Sequence, residues 1–197
     1  MKSVRTLAAL GLGTLATVAA VASPALAQET KSARSTAHCV LNTDNGDKAC
    51  FSTYREAIAY GTKGRVTDAP NDARDAFKDQ KLQERLSGPR SQHGMKLAKN
   101  AQSALPESRT LATIFRDKDF GDGLTLTGTV GCGWRYPEFA TLKDGWNDVI
   151  SSTASGQCDI TLYQHDDFRG FSQTYRGNVP YVGDAMNDQA SSISFDR

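Results

Sequence analysis

Two six-residue phrases in this 197-residue chain present oxygen donors in the same order. They are Asn147-Asp148-Val149-Ile150-Ser151-Ser152 and Asn187-Asp188-Gln189-Ala190-Ser191-Ser192. In each, a carboxylate stands three residues ahead of a hydroxyl. Such a donor set offers oxygen and no nitrogen or sulfur base, which suits a hard cation needing roughly six to eight oxygens. One phrase supplies several of these from its side chains and the intervening carbonyls. The remainder must come from a neighbouring loop or from water, and the acidic stretches Asp117 to Asp119 and Asp166 to Asp167 are candidates. A single phrase reads as an ordinary turn and strand end, its side chains bonding to nearby backbone. Two phrases at the same place near the end of a repeated unit read as a metal-ligand set: Asn147, Asp148, Ser151, Asn187, Asp188 and Ser191.

Catalytic chemistry has little support. The histidines are His38, His93 and His165, and none lies in an HExxH phrase. A Gly-x-Ser-x-Gly elbow and a phosphate-cradling glycine loop are also missing from the sequence. His165 falls in an acidic hairpin and reads as an exposed turn residue. Charge is uneven, net +3 over residues 28–107 and net −4 over residues 108–197. An acidic balance around the two phrases favours a cation over a phosphate, so nucleic acid is not an expected partner.

The elements that must position these residues repeat. Thr113-Ile114-Phe115 and Leu124 to Thr127 recur as Ile160 to Tyr163 and Phe171 to Tyr175, with apolar and polar residues alternating between Gly-, Asp- and Asn-rich breaks. Period-two runs with such breaks are antiparallel strands. The expected domain is all-β over residues 108–197, with motif 1 at 108–156 and motif 2 at 157–197, about four strands each in two packed sheets. Residues 91–107 are polar without a period and read as a linker. Residues 28–90 read as a small α+β region. Thr43-Asp44-Asn45-Gly46 turns a hairpin, and Thr53-Tyr54-Arg55-Glu56 opens a helix through Ala57, Ile58 and Tyr60 that ends at Gly61. A second helix starts at Pro70-Asn71, carries Phe77, Leu82 and Leu86, and stops at Gly88-Pro89. The region is either a pro-segment or a permanent appendage.

Residues 1–27 carry Lys2 and Arg5, a short Ala-rich apolar run and Ala25-Leu26-Ala27, the pattern of a secretory signal peptide. Export makes two disulfides the expected state of the four cysteines. Cys39 and Cys50 flank the turn and face each other across the hairpin, leaving Cys132 to pair with Cys158.

Tyr163-x4-Phe168-x-Gly170 with Ser192 resembles the Greek-key motif of the βγ-crystallin superfamily, and Phe115-x4-Phe120 with Ser152 is its partner. The resemblance implies an aromatic opening each hairpin, a glycine with unusual backbone shape, and a late serine bonding back over the hairpin. Motif 1 departs from it, with Asp122 at the glycine position between Gly121 and Gly123, so a shifted or bulged hairpin is expected there. The two oxygen phrases are similar to the microbial calcium signature of that superfamily. The implied ligand is calcium, shared between the motifs and stabilising a secreted, non-catalytic protein.

Phe120 and Phe168 are 48 residues apart, but Asp148 and Asp188 only 40, so motif 1 carries about eight extra residues. The insertion falls at Gly131 to Phe139, a stretch with Cys132, Trp134 and Tyr136. Its aromatics either contact a partner or cap one end of the sandwich. Secreted peptidase inhibitors and killer-toxin-like proteins resemble this fold too. A secreted protease is therefore one expected partner, and cell-wall glycan stacked on Trp134 and Tyr136 another.

Overall fold

The computed structural model describes residues 37–87, 108–129, 132 and 139–196. The signal sequence, the linker, the Gly88-Pro89 stop, Trp134 and Tyr136 lie outside the described residues. All that is described falls within one compact unit, Arg34–Arg197. No helix among the described residues is long and apolar enough to cross a membrane.

The chain begins as the turn chemistry requires. β1 (His38–Asn42) and β2 (Lys48–Phe51) form an antiparallel hairpin in which Cys39 faces Cys50, and these two are disulfide-bonded. Asn42 caps the turn by accepting the Asp44 N–H at 2.9 Å. Thr53 then caps α1 (Tyr54–Gly61), its hydroxyl accepting the Glu56 N–H at 3.2 Å. The Glu56 carboxylate in turn accepts from the hydroxyls of Thr53 and Ser52 at 3.0 and 3.1 Å. The inward face is Tyr54, Ala57, Ile58 and Gly61, and Tyr60 points outward. The helix ends at Gly61, as expected, and the turn beyond it closes at Gly64, whose left-handed backbone lets its N–H reach the Ala59 carbonyl at 2.7 Å. The expected second helix is two, α2 (Ala73–Ala76) and α3 (Gln80–Ser87), with Asp72 rather than Pro70 or Asn71 as the cap.

Motif 1 follows as β3 (Arg109–Phe115), β4 (Gly123–Gly128) and β5 (Ser152–Ser155). Motif 2 is β6 (Asp159–His165), β7 (Arg169–Tyr175), β8 (Asn178–Val179) and β9 (Ser192–Asp196). The sheets run β2-β1-β4-β3-β5-β8 and β7-β6-β9. Each motif sends its third segment to the other's sheet. β8 of motif 2 pairs with β5, and Phe139 of motif 1 bridges to Ile193 on β9. That exchange makes two Greek keys a single sandwich, closed over a core that includes Leu111, Ile114, Ile150, Ile160, Leu162, Met186 and Ile193.

The hairpin is not a loose appendage. β1 pairs in parallel with β4, Leu41 opposite Leu126, so the first sheet gains two strands from the N-terminal region. The helices cover the outer face of that sheet, burying Tyr54, Ile58, Leu82 and Leu86 against Phe115 and Ala154. β3 and β4 are consequently buried along almost their whole length, although their sequences alternate as a half-exposed strand would. The bulge expected beside Asp122 is elsewhere. Asp122 adopts the left-handed backbone itself, at φ 50°, and the register of β3 and β4 slips at Leu111 instead; at the hairpin tips, the irregular pairing is in motif 2, between Tyr163 and His165.

Candidate metal centre

Backbone shape fixes the two oxygen phrases. Asp148 and Asp188 both sit in the left-handed region, at φ 54° and 56°, which aspartate tolerates better than most residues. Each also donates its N–H to the other motif: Asp148 to the Ala190 carbonyl at 3.0 Å, Asp188 to the Ile150 carbonyl at 3.1 Å. The two phrases therefore lie against each other, related by the same pseudo-symmetry that exchanges the strands.

This contact crosses the candidate ligands over. Ser191 Oγ lies 3.4 Å from Asp148 Oδ1, and Ser151 Oγ lies 3.5 Å from Asp188 Oδ1. The carboxylate and the hydroxyl that meet do not come from one turn, as spacing within a phrase suggests, but from opposite motifs. A third oxygen joins the first cluster, since Ser191 Oγ donates to the Gln164 carbonyl at 2.9 Å. Asn147 and Asn187 act on their own aspartates, their amide groups donating to Asp148 Oδ2 at 2.8 Å and Asp188 Oδ2 at 2.7 Å. The amide oxygen of Asn187 is buried without a hydrogen-bond partner. Each cluster thus presents oxygens only, with one carboxylate held and oriented by its neighbouring amide.

The acidic hairpins do not complete these clusters. Among the described residues no three His, Cys, Asp or Glu side chains converge. Asp167 is turned to Arg169, 3.6 Å away, and Asp117 is engaged through its carbonyl, not its carboxylate. The Gln164 carbonyl beside Ser191 was not foreseen from the sequence, because a backbone oxygen leaves no trace in residue type.

Next to each cluster stands the serine that holds the fold. Ser152 Oγ donates to the Asp117 carbonyl at 2.7 Å and accepts the Phe120 N–H at 3.1 Å. Ser192 Oγ donates to the His165 carbonyl at 2.6 Å and accepts the Phe168 N–H at 3.1 Å. Both serines are fully buried. Adjacent serines have thus divided the work: Ser151 and Ser191 face the aspartates, while Ser152 and Ser192 pin the hairpins. At the start of the motif 1 insertion, Cys132 is bonded to Cys158.

No family model and no curated protein matches the chain. Solved structures do. A βγ-crystallin domain from Clostridium beijerinckii is 22% identical over 44% of this chain and 97% of its own, with a TM-score of 0.35. Another from Flavobacterium johnsoniae is 25% identical over 43% of this chain and 92% of its own, with a TM-score of 0.35. The N-terminal domain of protein S is 24% identical over 43% and 92% respectively, with a TM-score of 0.33. By its own geometry of paired Greek keys, exchanged third strands and a serine latch in each motif, the part of the chain from Ser108 to Asp196 has a βγ-crystallin-like fold.

Proposed function

We propose that this is a secreted, non-catalytic calcium-binding protein in which two cations clamp the Greek keys together. The observation that carries the reading is the reciprocal crossing of Asp148 with Ser191 and Asp188 with Ser151. An ion held by a carboxylate of one motif and a hydroxyl of the other is bound only while the motifs are docked. Asp148, Ser191 and the Gln164 carbonyl would hold one cation, Asp188 and Ser151 the other, with water filling the remaining positions. All these donors are hard oxygens, which suits calcium and disfavours zinc or copper. Calcium supplies a double positive charge where two carboxylates otherwise lie beside hydroxyl and carbonyl dipoles. Two disulfides fit an oxidising, extracellular compartment, where calcium is abundant.

A ligand that binds only the folded state adds RT ln(1 + [L]/Kd), about 2.7 kcal/mol at a hundredfold excess over Kd. Titration calorimetry on residues 28–197 should find two calcium ions per chain, with a higher melting temperature in excess calcium. Asp148→Asn and Asp188→Asn, chosen because asparagine also accepts the left-handed backbone, should each remove one site. No binding heat and an unchanged melting temperature would discard the proposal.

A further inference from the structure

Six strands face three in this sandwich. β1 and β2 extend the first sheet beyond β4, and among the described residues no strand of the second sheet is paired with them or matches them in number. This part of the sheet is roofed by the segment running from Phe139 to Trp146. The fit is incomplete, and a cavity of about 460 Å³ remains between roof and sheet. Ile114, Leu124, Leu126, Phe139, Trp146 and Ile193 line it, an aliphatic and aromatic wall. A space of that size and lining falls in the range of small-molecule sites, roughly 300–1,000 Å³.

The rim has a different character. Lys48 at the start of β2 meets Asp144 on the roof, Nζ to Oδ2 at 3.2 Å, joining the hairpin to the segment above it. Lys143 is exposed on the same rim and has no carboxylate partner among the described residues. Two ammonium groups therefore stand against one carboxylate, leaving one positive charge at the mouth of an apolar chamber.

We propose that this cavity binds a small amphiphile with an aliphatic body and a single carboxylate head. The body would displace water from the wall of Leu126 and Trp146, and the head would sit between Lys143 and Lys48. An apolar interior favours the chain, while the uncompensated cation selects the sign of the head. A neutral or cationic head gains nothing at this rim. The site depends on the N-terminal hairpin, which supplies Leu41 and Lys48 to its wall and rim. It is separate from the paired oxygen clusters and stands whether or not these bind calcium.

Decanoate is a suitable probe, kept below its micelle-forming concentration and titrated into residues 28–197 by calorimetry. Trp146 is a second readout: with only two tryptophans in the chain, Trp134→Phe leaves it as the sole indole emitter. One-to-one saturable binding that shifts the Trp146 emission is expected. Lys143→Met should weaken it about tenfold, the value of one charged hydrogen bond. Thr141→Trp, at an exposed rim position, should block entry without touching the core. Decylamine binding as tightly as decanoate overturns the proposal. So does the absence of saturable decanoate binding to protein that melts normally, or binding that neither Lys143→Met nor Thr141→Trp weakens.

Discussion

Ser152 and Ser192 show how much one hydroxyl does when it is buried with two backbone partners. Each satisfies a carbonyl and an N–H at a hairpin tip whose own residues, Asp119 and Phe120 or Asp167 and Phe168, are left-handed and cannot pair as a regular strand does. Removing the hydroxyl strands both backbone groups away from water, at about 1–3 kcal/mol for an unsatisfied group. Ser192→Ala should therefore lower unfolding free energy in urea by about 2 kcal/mol while leaving the proposed calcium stoichiometry unchanged. Ser191→Ala, one residue earlier, should do the reverse, costing little calcium-free stability and weakening one site. Equal effects of the two substitutions on stability and stoichiometry would contradict the division of roles. The signature phrase shows both serines. It does not show that Ser191 looks across to Asp148 while Ser192 looks back to His165.

At the scale of elements, the same aromatic pair has met two environments. In motif 2, Tyr163 and Phe168 lie edge to face at 5.6 Å, and the tyrosine hydroxyl is 3.2 Å from Ser194 Oγ. In motif 1 the equivalents are Phe115 and Phe120, with rings 5.5 Å apart, and the helices cover them. Phe77 at the end of α2 packs on both, at 5.4 and 4.9 Å. A phenol at position 115 would need a buried partner there, which accounts for phenylalanine in this copy. Backbone contacts reinforce the seam, since Arg74 Nε donates to the Asp119 carbonyl and Asn178 Nδ2 to the Phe77 carbonyl, both at 3.0 Å. Phe77→Ala should cost about 2–3 kcal/mol, somewhat below the range for a fully buried ring, because Phe77 is only partly buried. It should also open α2 and α3 to trypsin at Arg74, Lys78 and Arg85 before the sandwich unfolds. Simultaneous loss of both layers would show instead that the helices have no separate stability. Helix sequence gave Leu82 and Leu86 their buried positions through spacing; that Phe77 would stack on a crystallin-like corner could not be read from it.

Over the whole molecule, hairpin, helices and Greek keys meet at His38. It opens β1, pairs with both Phe51 and Gly123, and lies edge-on to Tyr54 at 5.7 Å. It is only 6% exposed and its Nδ1 has no hydrogen-bond partner. Burial holds its imidazole below the ordinary histidine value, and the nearby charges of Asp72 and Asp122 only partly offset this. The unfolded chain therefore binds the proton more readily. Stability from this group is complete above about pH 6.5, its unfolded value, and falls as pH drops through the window towards the lowered folded value. Urea titrations between pH 7.5 and 5 should show that decline, and His38→Gln should flatten it. An unchanged slope in the variant would place the titrating group elsewhere.

The sequence by itself determined what is local or repeated: the hairpin with its facing cysteines, the capped helix, the alternating strands of two motifs, and the paired oxygen phrases. Turn chemistry, period and duplication are written within a few residues of each other, so they survive without a fold. Tertiary structure alone decided that β1 would extend the motif 1 sheet in parallel, because a strand with two usable edges does not encode which edge it will find. It also decided that Asp148 would answer to Ser191 and Asp188 to Ser151. Those partners are 43 and 37 residues apart, and only the docking of one Greek key against its copy brings them together.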